Sequence, residues 1–175
     1  MQELLAPSEV IFYDSAWASL GARTSLQRDI SETTGIPGDI LTGTQPLESA
    51  SVARRMSWAA NRNTTRDEDI AYCLMGIFSV YMPMLYGEGS NAFIRLQEES
   101  MEASDDHTIF AWRADIDSPH GLLADSPSAF ADSGYIQPFR APRNHLPYTK
   151  TNRGLGITLR LNSHPAVSTS ECLAA

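Results

Sequence analysis

A chain of 175 residues has room for one ordinary domain or two small ones, and nothing larger. Its 13 Lys and Arg against 21 Asp and Glu give a formal charge of −8, which argues against a nucleic-acid binder, whose phosphate contacts need a basic surface. Hydrophobic residues at 42% and charged residues at 19% describe a folding chain, not a disordered one.

In chain order, the segment 9–14 is β-branched and aromatic, and with 17–20 across an Asp14-Ser15 turn it predicts a hairpin with both strands half buried. Thr24 or Ser25 can cap a helix with Leu26 and Ile30 on one face, stopped by Gly35. Ser51 can cap another, with Val52, Met56 and Ala59 or Ala60 inward and Arg54 and Arg55 outward. Thr65-Arg66-Asp67-Glu68 has capping-box spacing, Asp67, Glu68 and Asp69 suit the first turn, and the wholly apolar run 70–75 predicts a central buried helix carrying Cys73. After the break at Gly87-Glu88-Gly89, Ser90 can cap a helix to about Met101 with Phe93, Leu96 and Ser100 on one stripe.

From 105 to 132 there are six acids and one base, and from 133 to 170 five bases and no acid. Together with a change from helical to strand-like patterning, this places a boundary near 103–106. Residues 108–112, 135–139 and 154–161 read as short strands, and Ser126-Pro127 opens a helical turn closed by Gly134. The tail from 162 to 175 is small, polar and unpatterned, the composition of a disordered segment.

Chemistry has few carriers. His107, His120, His145 and His164 form no metal-binding pair, and Cys73 and Cys172 form neither a disulfide framework nor a ligand set, so no metal and no cofactor are expected. The Gly87-Glu88-Gly89 turn lacks the lysine of a phosphate-binding loop, and the basic residues of 140–160 read as a solvated strand face. Residues 70–86 are broken by Gly76, Ser79 and Pro83 and are not a membrane span, and the first residues carry no secretory pattern. The expected location is the cytoplasm, with the nucleus as the alternative.

Five stretches nevertheless carry a resemblance. QELLAPSEVIFYD (2–14) and MSWAANRNTTRDEDIAYCLMGIFSVYMPMLYGEG (56–89) resemble the C-terminal half of the fungal heterokaryon-incompatibility (HET) domain. DHTIFAW (106–112), GLLADSPSAF (121–130) and TNRGLGITLRL (151–161) resemble the small domain of unknown function that often follows it. The resemblance implies a fragment that begins inside the family's pattern: residues 1–103 as the C-terminal part of a HET-like domain, 104–161 as the small strand-rich domain, then the tail. The implied fold is α+β, a helical core with an N-terminal β-hairpin and a strand-rich appendage, the remnant of a TIR-like α/β domain. The implied function is fungal non-self recognition and programmed cell death through contact with a protein partner, without catalysis, nucleic acid or membrane. The alternatives are a TIR-like NAD hydrolase, in which Glu3 would match the family's catalytic glutamate, and a truncated product with no function of its own.

Overall fold

The structure, a computed structural model, describes residues 2–114, 121–138, 149–151 and 154–157. The chain divides into two compact units, 1–140 and 141–175. In the first, α1 (Gln2–Leu5) precedes an antiparallel hairpin of β1 (Ile11–Tyr13) and β2 (Ser19–Ala22). Five further helices bring the chain to residue 78: α2 (Gln27–Thr34), α3 (Gly38–Leu41), α4 (Val52–Ser57), α5 (Asp67–Tyr72) and α6 (Met75–Phe78). The long α7 (Asn91–Ala103) is followed by two 3-10 turns, His107–Phe110 and Pro127–Ser133. In the second unit β3 (Thr149–Thr151) pairs antiparallel with β4 (Gly154–Gly156). This is the α+β class expected.

The core of the first unit gathers Met56 of α4, Ala71 of α5, Ile77 of α6, and Phe93 and Leu96 of α7, closed by Ile109 and Phe130 from the two 3-10 turns. Helices this short do not persist on propensity, so burial of their apolar faces must hold them. Helix α2 ends as expected on Gly35, whose φ of 72° is the left-handed conformation that lacks a Cβ penalty. Ser51 caps α4 as expected, its hydroxyl accepting from the Arg54 N–H.

Several local expectations are corrected. The hairpin is mostly exposed: Ile11, Tyr13, Ser19 and Leu20 face water, and among the described residues no third strand pairs with it. Neither Thr24 nor Ser25 caps α2; the Ser25 hydroxyl turns back to the Ala22 carbonyl. The apolar run 70–78 is two helices, since the Leu74 N–H reaches back only three residues, to Ala71, and the tightened turn breaks the helix. That break leaves Cys73 exposed. Residues 108–112 form no strand: 107–110 is a 3-10 turn whose polar groups are committed to the end of α4. No strand forms over 135–138 either; the 154–161 strand is formed over 154–156 as β4, while residues 139, 158–161 and the 162–175 tail lie outside the described residues.

Candidate functional site

Glu3 sits on α1, which is held down from two sides. The buried Arg23 guanidinium donates to the Leu4 carbonyl at 2.5 Å and to the Ser8 carbonyl at 3.1 Å, and the Gln2 side chain lies over Gly76 in the space a Cβ would need. The Glu3 carboxyl remains in water, below the ordinary carboxylate range because its own backbone N–H stabilises the anion, with Arg62 acting in the same direction. It is therefore an ionised, solvated group. A glutamate meant to donate a proton, or to attack from a dry pocket, needs the opposite environment.

Arg62 borders two clefts, of about 240 and 150 Å³, that share Arg62, Asn63, Thr64 and Ile70. Asp67, Ser90, Asp125 and Ser126 complete the larger one, and Cys73 opens on the smaller. Both open to solvent; the larger carries mixed charge from Arg62, Asp67 and Asp125, and the smaller has Arg62 as its charged residue. Among the described residues no group of three or more His, Cys, Asp or Glu could hold a metal. His120, His145 and His164 lie outside those residues, as does Cys172.

A connected polar cluster fixes the loop between α6 and α7. Gly87 and Gly89 adopt φ values of 103° and 57°, and both direct their N–H groups at Oε1 of Glu68, at 2.7 and 3.1 Å. Side chains with a Cβ adopt such angles only under strain, which accounts for the two glycines. Hydrogen bonding to its own N–H, and then to those of Gly87 and Gly89, lowers the Glu68 carboxyl below its ordinary range. Four residues on, the Tyr72 hydroxyl accepts from the Leu85 N–H at 2.7 Å and shares its proton between the Leu85 carbonyl and the Glu88 carboxylate, each 3.0 Å away. Arg95 of α7 closes the ring, donating at 2.7 Å to both Glu88 and the Pro83 carbonyl. Burial, followed by the neighbouring Glu88, raises the Tyr72 phenol.

This clasp holds an apolar loop out in water. Tyr81 is 93% exposed, and Met84, Leu85 and Tyr86 are each more than half exposed. Tyr86 packs edge-on to Tyr72, lies under Arg66 and donates to Asp69. Fixed backbone combined with exposed aromatic side chains is the anatomy of a contact surface, because little entropy remains to be lost on docking.

The stretches 106–112 and 121–130 do structural work. Asp106 accepts from the Val52 N–H at 2.8 Å, Thr108 accepts from the Ala53 N–H at 3.1 Å, and with Ser51 on Arg54 the open N–H groups of α4 are satisfied in series. Gln97, fully buried, pairs with both backbone groups of Ala124: Nε2 donates to its carbonyl at 2.7 Å and Oε1 accepts from its N–H at 3.0 Å. Arg55, expected to face outward, is buried; it donates to the Ile77 carbonyl at 2.8 Å over the Phe78 ring, and burial lowers its pKa. Sequence reasoning missed Gln97 and Arg55, although Gln97 lies four residues after Phe93 on the apolar stripe, and a polar residue there signals a buried tie.

The architecture is thus α+β, with a prominent exposed loop held by polar ties. No family profile and no solved structure matches the chain. A 100-residue portion, 57% of the chain, is 50% identical to the vegetative incompatibility protein HET-E-1 of Podospora anserina. The chain spans about 7% of that relative's length.

Proposed function

We propose that this chain is part of a fungal non-self recognition protein of the vegetative-incompatibility kind, and that it works through protein contact and not through catalysis. The observation that carries this reading is the 50% identity over 100 residues to a vegetative incompatibility protein. The clasped loop supports the contact mechanism. Glu68, Tyr72, Glu88 and Arg95 spend a ring of buried or half-buried polar groups on immobilising a segment whose own side chains, Tyr81 and Met84 foremost, touch little of the protein. HET-domain membership, the TIR-like relationship and a role in cell death belong to the same reading, as does a boundary near 103–106.

The test replaces Tyr81→Ser and Met84→Ser together in the full-length gene and scores the incompatibility reaction between strains. Neither residue supports the core, so thermal melting should stay at the wild-type value while the reaction is lost. A reaction of undiminished strength with both changes in place would rule out this loop as the working surface.

A further inference from the structure

Spacing in the sequence makes Thr65 the cap of α5, yet the capping position falls to Arg66 without a side-chain bond, and the Thr65 hydroxyl has no hydrogen-bond partner among the described residues. The neighbouring Thr64 differs, its hydroxyl donating to the Arg66 carbonyl. Residues 61–66 are exposed at every position and belong to no helix or strand. Arg62 stands in that same stretch, three positions before Thr65. A threonine that holds nothing in the fold, displayed on an irregular segment behind an arginine, is laid out as a substrate for another enzyme.

An arginine three positions before a hydroxyl is the charge pattern that arginine-directed protein kinases read, with the substrate chain lying extended across the catalytic carboxylate. The same spacing occurs at Ser31 after Arg28 and at Ser57 after Arg54, but both serines lie within helices, α2 and α4, and the Ser57 hydroxyl already donates to the Arg54 carbonyl. A helical residue cannot be laid out in that way. Around Thr65 the sequence also carries the opposite pattern, since Asp67, Glu68 and Asp69 follow it and an acid-directed kinase reads the acid three positions on. The fold removes that option: Glu68 is 7% exposed, and its Oε1 is held by the N–H groups of Gly87 and Gly89. Arg62 remains in water.

We propose that Thr65 is phosphorylated by an arginine-directed serine/threonine kinase, and that the phosphate regulates the 81–86 loop. The Thr65 oxygen attacks the γ-phosphorus of ATP, its proton passes to the kinase's carboxylate, the bond to the β–γ bridging oxygen breaks, and ADP leaves. The link to the loop is Arg66, whose guanidinium lies 4.9 Å from the centre of the Tyr86 ring, while the Tyr86 hydroxyl donates to Asp69. A phosphate carries about −1.5 to −2 charges at pH 7. A guanidinium hydrogen-bonded to phosphate is held more strongly than one resting on an exposed ring, so a phosphate on the adjoining residue draws Arg66 off Tyr86. The Glu68 bonds to Gly87 and Gly89 involve no arginine and stay, so the loop remains docked while its Tyr86 face changes. The regulatory half rests on the reading of 81–86 as a contact surface; the modification site does not.

Incubation of the folded 175-residue chain with an arginine-directed serine/threonine kinase and magnesium ATP tests the assignment, the modified position being mapped by peptide mass. Phosphate should appear on Thr65 and on neither Ser31 nor Ser57. Arg62→Gln should lower kcat/KM at Thr65 by about tenfold or more, the effect of losing one charge-assisted contact, and Arg62→Lys should recover part of it. Neither change should move the melting temperature, because Arg62 is exposed. An acid-directed kinase that accepts the unfolded peptide 60–70 should pass over the folded chain, in which Glu68 is engaged. In the phosphorylated chain the Arg66 side-chain proton resonances, displaced by the Tyr86 ring, should return to ordinary positions, while the Gly87 and Gly89 amides keep their slow exchange. A folded chain left bare at Thr65, an Arg62→Gln variant turned over like wild type, or a folded chain used as readily as the peptide by the acid-directed kinase overturns the site. Phosphorylated Thr65 with unmoved Arg66 resonances overturns the regulation. All of these are read on the purified chain, so they stand apart from the incompatibility reaction of the Tyr81→Ser, Met84→Ser gene, which tests the contact surface itself.

Discussion

Gln97→Met is the most informative single perturbation of the fold. Methionine matches the length and flexibility of glutamine, so the cavity is filled and steric change is small. What disappears is the amide that pairs with Ala124, a residue with no exposed surface. Its N–H and C=O are then stranded where water does not reach. Each stranded group costs roughly 1–3 kcal/mol, giving about 2–6 kcal/mol for the two, less about 1 kcal/mol for the apolar character gained. The Phe93 carbonyl, which Nε2 also reaches at 3.1 Å, keeps its place in the helical ladder and adds little. For a unit of this size, each kcal/mol moves the melting temperature by about 3 °C, so a fall on the order of 3 to 15 °C is expected. Thermal unfolding followed by tryptophan fluorescence measures it, because Trp58 is 5% exposed and reports on the core. Gln97→Glu serves as the control. One oxygen still accepts from Ala124, but the other faces carbonyls and must carry a proton. The folded state then binds that proton more tightly than the unfolded state, so this variant should be near wild type in acid and lose stability as pH rises through and above about 4.3. If Gln97→Met melts within half a degree of wild type, residues 121–126 do not depend on this amide and the reasoning fails.

Glu68→Gln should lower the melting temperature at pH 7 and flatten the acid side of the stability profile. The Glu68 carboxyl is lowered from its ordinary value of 4.5, so its contribution is complete above that value and drains away as pH falls through the lowered folded-state one. Melting curves between pH 3 and 7 that run parallel in the two proteins would contradict this. Thr65→Ala, by contrast, should change stability by less than about 0.5 kcal/mol, because Thr65 caps nothing. Asp106→Ala should cost about 1–2 kcal/mol by uncapping α4 at Val52, with Asp106→Asn recovering most of it, as read by chemical denaturation. The purified chain should release no nicotinamide from NAD above background, and Glu3→Ala should leave that background unchanged, because a solvated carboxylate lacks the oriented, water-poor surroundings that glycosidic cleavage needs.

Local signals in the sequence translate well where the partner of each group is near in the chain. The hairpin, the Gly35 stop, the Ser51 cap, the Phe93, Leu96 and Ser100 stripe, and the Pro127–Ser133 turn ending at Gly134 are of this kind. Where the partner is distant, the same signals mislead. Thr65 to Glu68 has the spacing of a capping box, yet the Glu68 side chain serves Gly87 and Gly89, 19 and 21 positions away, and the capping position falls to Arg66 without a side-chain bond. Arg55 sits where helical periodicity gives an outward face, but the Ile77 carbonyl and the Phe78 ring, 22 and 23 positions on, give its charge a place inside. Residues 108–112 have a strand's composition and lose that conformation because Asp106 and Thr108 are engaged at α4. The candidate site shows the same division. Glu3 is visible only through resemblance, whereas in the clasp around 80–90 it is the tertiary fold that brings Glu68, Tyr72 and Arg95 to one loop.

These distant polar ties follow from the brevity of the elements. An α-helix leaves four N–H and four C=O groups open at its ends whatever its length, so in helices of four to eight residues nearly every backbone group is an end group. Among the described helices only α7, at 13 residues, has a substantial interior ladder. A fold assembled from such pieces cannot satisfy itself within its helices and must borrow side chains across the chain, as α4 borrows from 106–108 and Ala124 borrows from Gln97. Each loan docks a loop as it satisfies a helix end. The clasp on the 81–86 loop is one more instance of that economy, with the difference that the segment it docks leaves Tyr81 and Met84 exposed. Nothing in the packing requires Tyr81 to be tyrosine, which is why the contact reading is tested at Tyr81 and Met84 and the stability reading at Glu68.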